Sequence, residues 1–227
     1  WDEDTVQSMK DEINRFLQSY QVLGMLLVGT EGVNGTICYS TAKATKPDVG
    51  VEIVENPCRN ERQQQQRKAD VYDYFVKHFP GIRLRLSYNE KAVFFRLRVR
   101  AKKEIVTLGL PSIDPCARVG TFVSPGPAWH EMLQDPDTLV IDTRNEYEVL
   151  LGTFQNAVNP HTTSFTDFPA WFTHRVQSHD PPPKRIAMFC TGGIRCEKAS
   201  SYCLTHKMVK DLDIPVYHLE GGILAYL

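Results

Sequence analysis

The sequence predicts two consecutive folded units: a small α+β unit, and then an α/β unit built on a parallel sheet. In the first half, stretches with helical periodicity alternate with apolar runs of strand length. Proline and glycine interrupt the pattern near the middle of the chain, at Pro111, Pro115 and Gly120. From about Pro125 onward, short apolar strands alternate with helices, which is typical of a parallel sheet covered on both faces.

The first unit is predicted to contain two helices and four strands. Apolar residues recur at helical spacing from Val6 to Leu17, so the first helix should span Asp4–Ser19. The other elements are a strand at Val22–Val28, a strand at Thr36–Tyr39 after a turn at residues 31–35, a helix at Arg62–His78, and strands at Ile82–Tyr88 and Ala92–Arg100 joined by Asn89 and Glu90. This order fits a ferredoxin-like unit that lacks its first strand.

The second unit places its candidate functional residues at strand ends. Leu139–Ile141 is a short apolar strand that ends at Asp142, and Arg185–Phe189 is another that ends at Cys190. The elements that follow are a helix at Glu197–His206 and a strand at Val216–Leu219. Functional residues of parallel sheets gather at the carboxyl ends of the strands, so Asp142 and Cys190 become candidates.

Length, charge and cysteine usage limit the class of protein. The 227 residues suit one large domain or two small ones, and the breaks above place a first domain at 1–108, a linker at 109–124 and a second domain at 125–227. The net charge of −1 argues against binding nucleic acid through overall charge, and no apolar run is long enough to cross a membrane. Six scattered cysteines favour free thiols in the cytoplasm, and neither DNA nor a membrane is an expected partner.

The loop Cys190–Arg195 has the composition of an anion-binding cradle. A buried strand delivers Cys190 into a turn with two adjacent glycines, and a helix follows. Glycines let backbone N–H groups converge, the helix N-terminus adds positive potential, and Arg195 adds a full charge. Such surroundings lower the pKa of a cysteine from about 8.5 to roughly 3.5–7.5. We therefore interpret Cys190 as a reactive thiolate; the alternative is a small apolar residue at an ordinary strand-to-helix turn.

Several segments of the chain resemble a known family. Residues 190–199 are similar to the active-site loop of rhodanese-domain proteins, in the subgroup of tRNA uridine hydroxylases. Residues 141–157 resemble the first rhodanese signature, and residues 219–223 resemble the closing one. Residues 31–35 and 79–84 also resemble this subgroup. The resemblance spans most of the chain and implies a rhodanese-like α/β domain after the ferredoxin-like unit.

The resemblance also assigns roles around the loop. It implies that Cys190 is the catalytic thiol and that Arg195 acts with it. The positions that complete the cradle are Thr191, Gly192, Gly193 and Ile194. The six residues from Cys190 to Arg195 match the loop length of sulfurtransferases, whereas the related phosphatases have a longer loop. Phosphatase activity is therefore not expected.

Three further residues are expected to support the site. Asp142 and Arg144 should form a buried charged pair, in either a structural or a catalytic role. Cys196 either resolves an oxidised Cys190 through a disulfide or faces the core at the start of the helix. The spacing of Cys203 and His206 fits no common zinc pattern, and the sequence contains no flavin, haem or iron motif, so neither a metal nor a cofactor is predicted.

Two features depart from the subgroup. The first signature of the subgroup usually has a histidine after its glycine, and this chain has Thr153 there. Members of the subgroup also continue into a cysteine-rich tail beyond the position of Leu227. The tail leaves open a second functional region.

Arginines alternate with apolar residues in the two last predicted strands of the first unit. Period two would place the arginines on one sheet face, and residues 81–103 contain eight Lys or Arg against one Glu. Such a cluster fits a polyanion, and the family resemblance makes tRNA the expected one; the predicted tRNA-binding residues are Arg83, Arg85, Arg96, Arg98, Arg100 and Lys102. The alternative is a solvated face without a partner.

Three functions remain open from the sequence. By resemblance, the chain hydroxylates the wobble uridine of tRNA at carbon 5, with molecular oxygen as the oxidant. The residues themselves also fit sulfur transfer, in which Cys190 takes a sulfur from thiosulfate or another persulfide donor and passes it to a small acceptor. A non-catalytic scaffold is the third reading, and the intact Cys190 and Arg195 argue against it.

Overall fold

The computed structural model describes residues 1–39, 61–87, 93–178 and 181–227. Within them the chain folds into two compact units, Trp1–Ile105 and Val106–Leu227. Among the described residues of both units, no helix is long and apolar enough to span a bilayer.

The first unit is a three-stranded sheet with two helices. Strand β1 pairs with β2 in antiparallel and with β3 in parallel orientation, so the sheet order is β2-β1-β3. The elements are α1 (Glu3–Ser19), β1 (Leu23–Gly29), β2 (Gly32–Cys38), α2 (Glu61–His78) and β3 (Leu97–Ala101). The predicted α+β class is confirmed, with a small mixed sheet in place of four strands among the described residues.

One face of this sheet forms the core of the first unit. Helix α1 begins at a cap in which the Asp2 carboxylate accepts a hydrogen bond of 2.7 Å from the Thr5 N–H. The buried residues of α1 and α2 pack against alternate residues of β1; the set is Val6, Ile13, Leu17, Val71, Phe75, Leu26 and Val28. The opposite face carries Met25, whose side chain is 42% exposed. The helices therefore cover one face of the sheet.

The predicted hairpin of residues 82–100 is wrong. Residues 82–87 form no strand, and the apolar side chains of Leu84 and Leu86 are 39% and 78% exposed. Strand β3 pairs with β1 in parallel orientation, so its partner is a strand distant in sequence. The predicted turn at Asn89 and Glu90 lies outside the described residues. Alternation alone suggested this strand, and an exposed extended segment can show the same alternation.

The second unit is an α/β domain with a four-stranded parallel sheet of order β4-β7-β6-β5. Its elements are β4 (Thr121–Val123), α3 (Pro127–Gln134), β5 (Thr138–Asp142), α4 (Glu146–Val149), a 3-10 turn (Phe165–Asp167), α5 (Phe168–Gln177), β6 (Arg185–Phe189), α6 (Ile194–Cys203), α7 (Lys207–Asp211), β7 (Val216–Leu219) and α8 (Ile223–Tyr226). The predicted α/β class with a parallel sheet is confirmed. Strand β4 lies in the segment 109–124 that the sequence predicts as a linker.

Alternate residues of the central strands enter two separate cores. Ile141 and Met188 point to the face that packs against α5 and α6, where Phe172 is fully buried. Val140 and Phe189 point to the other face, where Trp129 of α3 is fully buried. Both faces are covered, which explains why the strands are continuous apolar runs. Asp142 and Cys190 lie at the carboxyl ends of adjacent strands, as predicted.

We expect Phe172→Ala to lower the free energy of unfolding of the second unit by about 3–5 kcal/mol, because the ring is fully buried between α5 and α6 and its loss leaves a cavity. Denaturant unfolding followed by the fluorescence of Trp129 and Trp171 measures the change. The control Leu212→Ala removes a side chain that is 53% exposed and should stay within about 0.5 kcal/mol of the parent. Equal effects of the two variants would contradict the core assignment.

Candidate active site

The loop that follows β6 curls its backbone around the sulfur of Cys190. Gly193 has a φ of 97°, in the left-handed region that favours glycine, and its N–H donates a hydrogen bond of 3.0 Å to Cys190 Sγ. Helix α6 then begins at Ile194, three residues before the predicted start, so its first turn lies directly beside the sulfur. The sulfur is fully buried, whereas Gly192 is exposed.

A second turn, residues 220–222 after β7, holds this loop from behind. The N–H groups of Ile223 and Leu224 donate to the carbonyl oxygens of Cys190 and Thr191, at 2.8 and 3.2 Å. A Cβ atom on Gly222 would lie 2.4 Å from the Cys190 oxygen, so the approach of the two turns requires glycine. From the sequence, this turn is only a resemblance to the closing signature. In the structure, it supports the backbone of the Cys190 loop.

Arg195 is held by a carboxylate that sequence reasoning gave no role. Its guanidinium donates two hydrogen bonds to Glu148, of 2.6 and 2.7 Å, in a bidentate fork. It also donates to the Thr191 hydroxyl at 3.0 Å, and that hydroxyl donates to Glu148 in turn. Glu148 lies in α4, 47 positions from Arg195, and also accepts from the Asn145 N–H at 3.1 Å. The signal available was its place in the first rhodanese signature.

The charges of this fork stabilise each other. Burial by itself would raise the pKa of Glu148, but hydrogen bonds from Arg195, Thr191 and the Asn145 N–H outweigh it and lower that pKa to about 2. Burial would likewise lower the pKa of Arg195, yet Glu148 and the adjacent Cys190 raise it. Both groups therefore remain charged through the neutral range.

Asp142 and Arg144 form the buried pair that the sequence predicts. The Arg144 guanidinium donates to Asp142 at 2.7 and 2.9 Å, and it also donates to the carbonyl oxygens of Glu148 and Gly152 at 3.2 and 2.6 Å. The Thr153 hydroxyl donates to Asp142 at 2.7 Å, so the residue that departs from the subgroup still completes the network. The pair therefore fixes the segment that presents Glu148 to Arg195.

The surroundings of Cys190 favour its ionised form. Complete burial opposes ionisation, but a hydrogen bond from the Cys196 thiol, the charge of Arg195 and the N–H groups of Arg195 and Cys196 outweigh burial and lower the pKa of Cys190 to about 6. Cys190 is then a thiolate at neutral pH. A thiolate surrounded by donors is a nucleophile whose anionic adducts are also stabilised.

Cys196 lies beside the reactive sulfur and does not face the core alone. Its side chain is fully buried, and its Sγ lies 3.5 Å from the Thr143 hydroxyl oxygen. Burial and then the neighbouring Cys190 raise the pKa of Cys196, so its proton remains in place. Among the described residues, no group of three or more histidine, cysteine or acidic side chains is placed to hold a metal ion.

Comparison with known proteins agrees with this architecture. Residues 2–105 match the UPF0176 acylphosphatase-like domain family, and residues 128–227 match the rhodanese-like domain family. The tRNA uridine(34) hydroxylase of Synechococcus sp. (strain CC9902) is 44% identical over 97% of this chain and 65% of its own length. The protein of that name from Agrobacterium fabrum is 41% identical over 97% of this chain and 61% of its own length.

The chain belongs to the family of proteins that combine a UPF0176 acylphosphatase-like domain with a rhodanese-like domain. It spans less than two thirds of the length of the relatives compared above. The match of residues 2–105 includes the segment with the predicted RNA-binding arginines. The first unit is therefore a regular part of this family.

The structure brings some of the predicted RNA-binding residues of this family member together, and separates others. Arg98 and Arg100 lie on β3 opposite Met25 and Leu27 of β1, and residues in register on neighbouring strands share a face. Arg96 and Lys102 flank β3 on either side. Arg83 and Arg85 are exposed in the segment after α2 and are not part of the sheet.

We expect the ultraviolet thiolate absorbance of Cys190 to rise with a midpoint near pH 6, because its pKa is lowered: the thiol is neutral below that pH and ionised above it. Subtracting the curve of Cys190→Ser isolates this residue. Arg195→Ala should move the midpoint upward by roughly 1–3 pH units, since it removes the adjacent positive charge. Lys210→Ala removes an exposed charge and should leave the midpoint unchanged. A parent midpoint near that of an ordinary cysteine would refute the cradle.

Proposed function

We propose that this chain hydroxylates uridine 34 of tRNA at carbon 5, with the Cys190 thiolate as the reactive group and molecular oxygen as the oxidant. The observation that carries the proposal is the acidic, hydrogen-bonded thiol of Cys190 in a chain similar over nearly its whole length to proteins named tRNA uridine(34) hydroxylase. A tRNA substrate also fits the cytoplasmic location that the scattered cysteines predict.

The chemistry of uracil gives the thiolate a role. The C5–C6 double bond of uracil is conjugated to the C4 carbonyl, so a soft nucleophile can add at C6 and make C5 electron-rich. An electron-rich C5 can then react with dioxygen to give a peroxide anion on C5. Transfer of the C5 hydrogen as a proton to that anion, together with elimination of the thiolate from C6, restores the double bond and leaves a hydroperoxide on C5. Cys190 is the nucleophile in this scheme, and Arg195 with the loop N–H groups stabilises its anion before addition and after elimination.

Sulfur transfer is the second candidate, and one observation favours it. The Gly193 N–H lies 3.0 Å from Cys190 Sγ, and such donors would also stabilise the terminal sulfur of an anionic persulfide. In that reaction Cys190 attacks the sulfane sulfur of thiosulfate and releases sulfite. An acceptor thiol or cyanide then removes the sulfur and regenerates the thiolate.

Cys190→Ala should abolish hydroxylation, because it removes the nucleophile. The measurement is mass spectrometry of tRNA nucleosides from cells that lack their own uridine-34 hydroxylase and express the variant. The control Cys116→Ala removes an exposed thiol and should retain 5-hydroxyuridine at the parent level. Normal 5-hydroxyuridine in the Cys190→Ala cells would refute the proposal. Release of thiocyanate by purified protein that forms no 5-hydroxyuridine would support sulfur transfer instead.

We also propose that the open face of the first sheet contacts tRNA. This face is formed by Met25 and Leu27 of β1 and Arg98 and Arg100 of β3, on the side of the sheet away from the buried Leu26 and Val28. Guanidinium groups bind phosphates and stack on bases, while neighbouring apolar side chains can pack against exposed bases. Arg96 and Lys102 would extend the basic row at both ends of β3.

The double variant Arg98→Ala, Arg100→Ala should weaken tRNA binding and flatten its salt dependence. Each lost phosphate contact removes roughly 0.7–0.9 from the slope of log K against log salt, so two contacts remove roughly 1.4–1.8. Filter binding across a salt series gives the slope. The control Arg15→Ala, Lys77→Ala removes two exposed charges from the helices and should keep the parent slope. Identical slopes for both double variants would count against this face.

A further inference from the structure

Two cysteines of the site, Cys190 and Cys196, lie on either side of one turn. The Gly193 N–H donates to Cys190 Sγ at 3.0 Å, and the Gly193 carbonyl oxygen accepts from the Cys196 N–H at 3.0 Å. Each of the two thiols also shifts the pKa of the other. Both side chains are fully buried, and both lie at the junction of β6 and α6. Cys203 in the same helix is equally buried, but no other thiol affects its pKa, which burial raises. The contact between the first two thiols is therefore not a general result of cysteines packing in this helix.

The interaction between the two thiols gives them different pKa values. It lowers the pKa of Cys190 and raises the pKa of Cys196, so one sulfur is an anion while the other keeps its proton. Only the anion attacks an electrophile first. The protonated neighbour becomes reactive once the first sulfur is modified, because the hydrogen-bond acceptor that favoured its protonated form is then lost.

The proposed hydroxylation requires two electrons that uridine does not provide. Molecular oxygen places one atom on carbon 5 and must release the other as water, which consumes two electrons and two protons. Two thiols that close to a disulfide release two electrons and two protons.

We propose that Cys190 and Cys196 form a redox dithiol whose closure to a disulfide supplies these two electrons. The inference rests on the proposed hydroxylation for its oxidant. The net reaction is uridine, dioxygen and two thiols giving 5-hydroxyuridine, water and one disulfide. A dithiol from outside the chain then reduces the Cys190–Cys196 bond by exchange and restores both thiols.

The two electrons pass from the thiols to the oxygenated base in two steps. Once dioxygen has been added at carbon 5 and Cys190 has been eliminated from C6, the base carries a hydroperoxide. The Cys190 thiolate attacks the distal oxygen and breaks the O–O bond, which leaves the 5-oxyanion on the base and a sulfenic acid on Cys190. The oxyanion takes a proton. The Cys196 sulfur attacks Cys190 Sγ, its proton joins the leaving hydroxide as water, and the disulfide forms.

The loop geometry is compatible with this closure. The two sulfurs must approach to a bond of about 2.05 Å. Gly192 is exposed, and no heavy atom lies within 4 Å of the position that a Cβ would occupy on it. The tip of the loop therefore has open space on one side, while the carbonyl oxygens of Cys190 and Thr191 accept hydrogen bonds from the N–H groups of Ile223 and Leu224.

We expect the Cys190–Cys196 pair to limit turnover when no reductant is present. Purified chain with tRNA and oxygen, but without added thiol, should form one 5-hydroxyuridine per protein and stop, with a disulfide between residues 190 and 196 in the peptide mass spectrum. Added dithiothreitol should restore multiple turnover. Cys196→Ser should instead stop with a sulfenic acid on Cys190, trapped by dimedone. Cys203→Ser is the matched control, because it is buried in the same helix and should behave as the parent.

Several results would overturn the inference. Repeated turnover of the parent without reductant, or Cys196→Ser that shows the parent disulfide and kinetics, would each do so. Cys196→Ala serves as a second variant if the serine unfolds, which circular dichroism detects. Hydrogen peroxide provides an arm that is independent of tRNA: the parent should form the 190–196 disulfide, and its absence would refute the redox pair. Absence of hydroxylation in the presence of dithiothreitol, together with a normal peroxide-induced disulfide, would refute only the proposed function.

Discussion

The site depends on one constraint, which is that a sulfur anion must be stable where water does not reach it. Cys190 is fully buried, and burial alone would keep it protonated. The opposing interactions come from three kinds of group in one short segment: the N–H groups of the loop, the Cys196 thiol and the Arg195 guanidinium. The guanidinium lowers the pKa of Cys190 only while it lies close to the sulfur, and its bidentate contact with Glu148 keeps it in that position.

This constraint extends outward through the second unit. Glu148 lies in the four-residue helix α4, which is too short to be stable by itself and is fixed by its capping box and by Arg144. Arg144 in turn depends on Asp142, the last residue of β5. The order of the strands is therefore functional, because it places β5 next to β6 and brings Asp142 to the edge where Cys190 emerges. The network thus connects the sheet to the charge of the sulfur.

The sequence was informative where a local pattern carried the structure. Strand β6 was predicted with its observed bounds because a continuous apolar run is typical of a strand covered on both faces, and the adjacent glycines marked the loop. It was uninformative where the partner is distant: no local pattern connects Glu148 with Arg195. The start of α6 at Ile194 depends on the left-handed Gly193. The predicted strand at residues 82–88 was wrong because alternation does not reveal whether a neighbouring strand exists.

The site has two proposed roles, nucleophilic attack by Cys190 and closure of a Cys190–Cys196 disulfide. Both depend on the interaction between these two thiols. A pair of identical thiols in one environment would compete for the first attack, and the productive order would not be defined. Here the interaction with Cys196 lowers the pKa of Cys190, and the pKa of Cys196 is raised in turn. Cys190 is therefore the anion, and Cys196 keeps its proton. Closure of a disulfide removes the negative charge of Cys190, yet Arg195 remains paired with Glu148, so oxidation leaves no uncompensated buried cation. The Arg195–Glu148 pair can therefore stay in place through the proposed redox cycle.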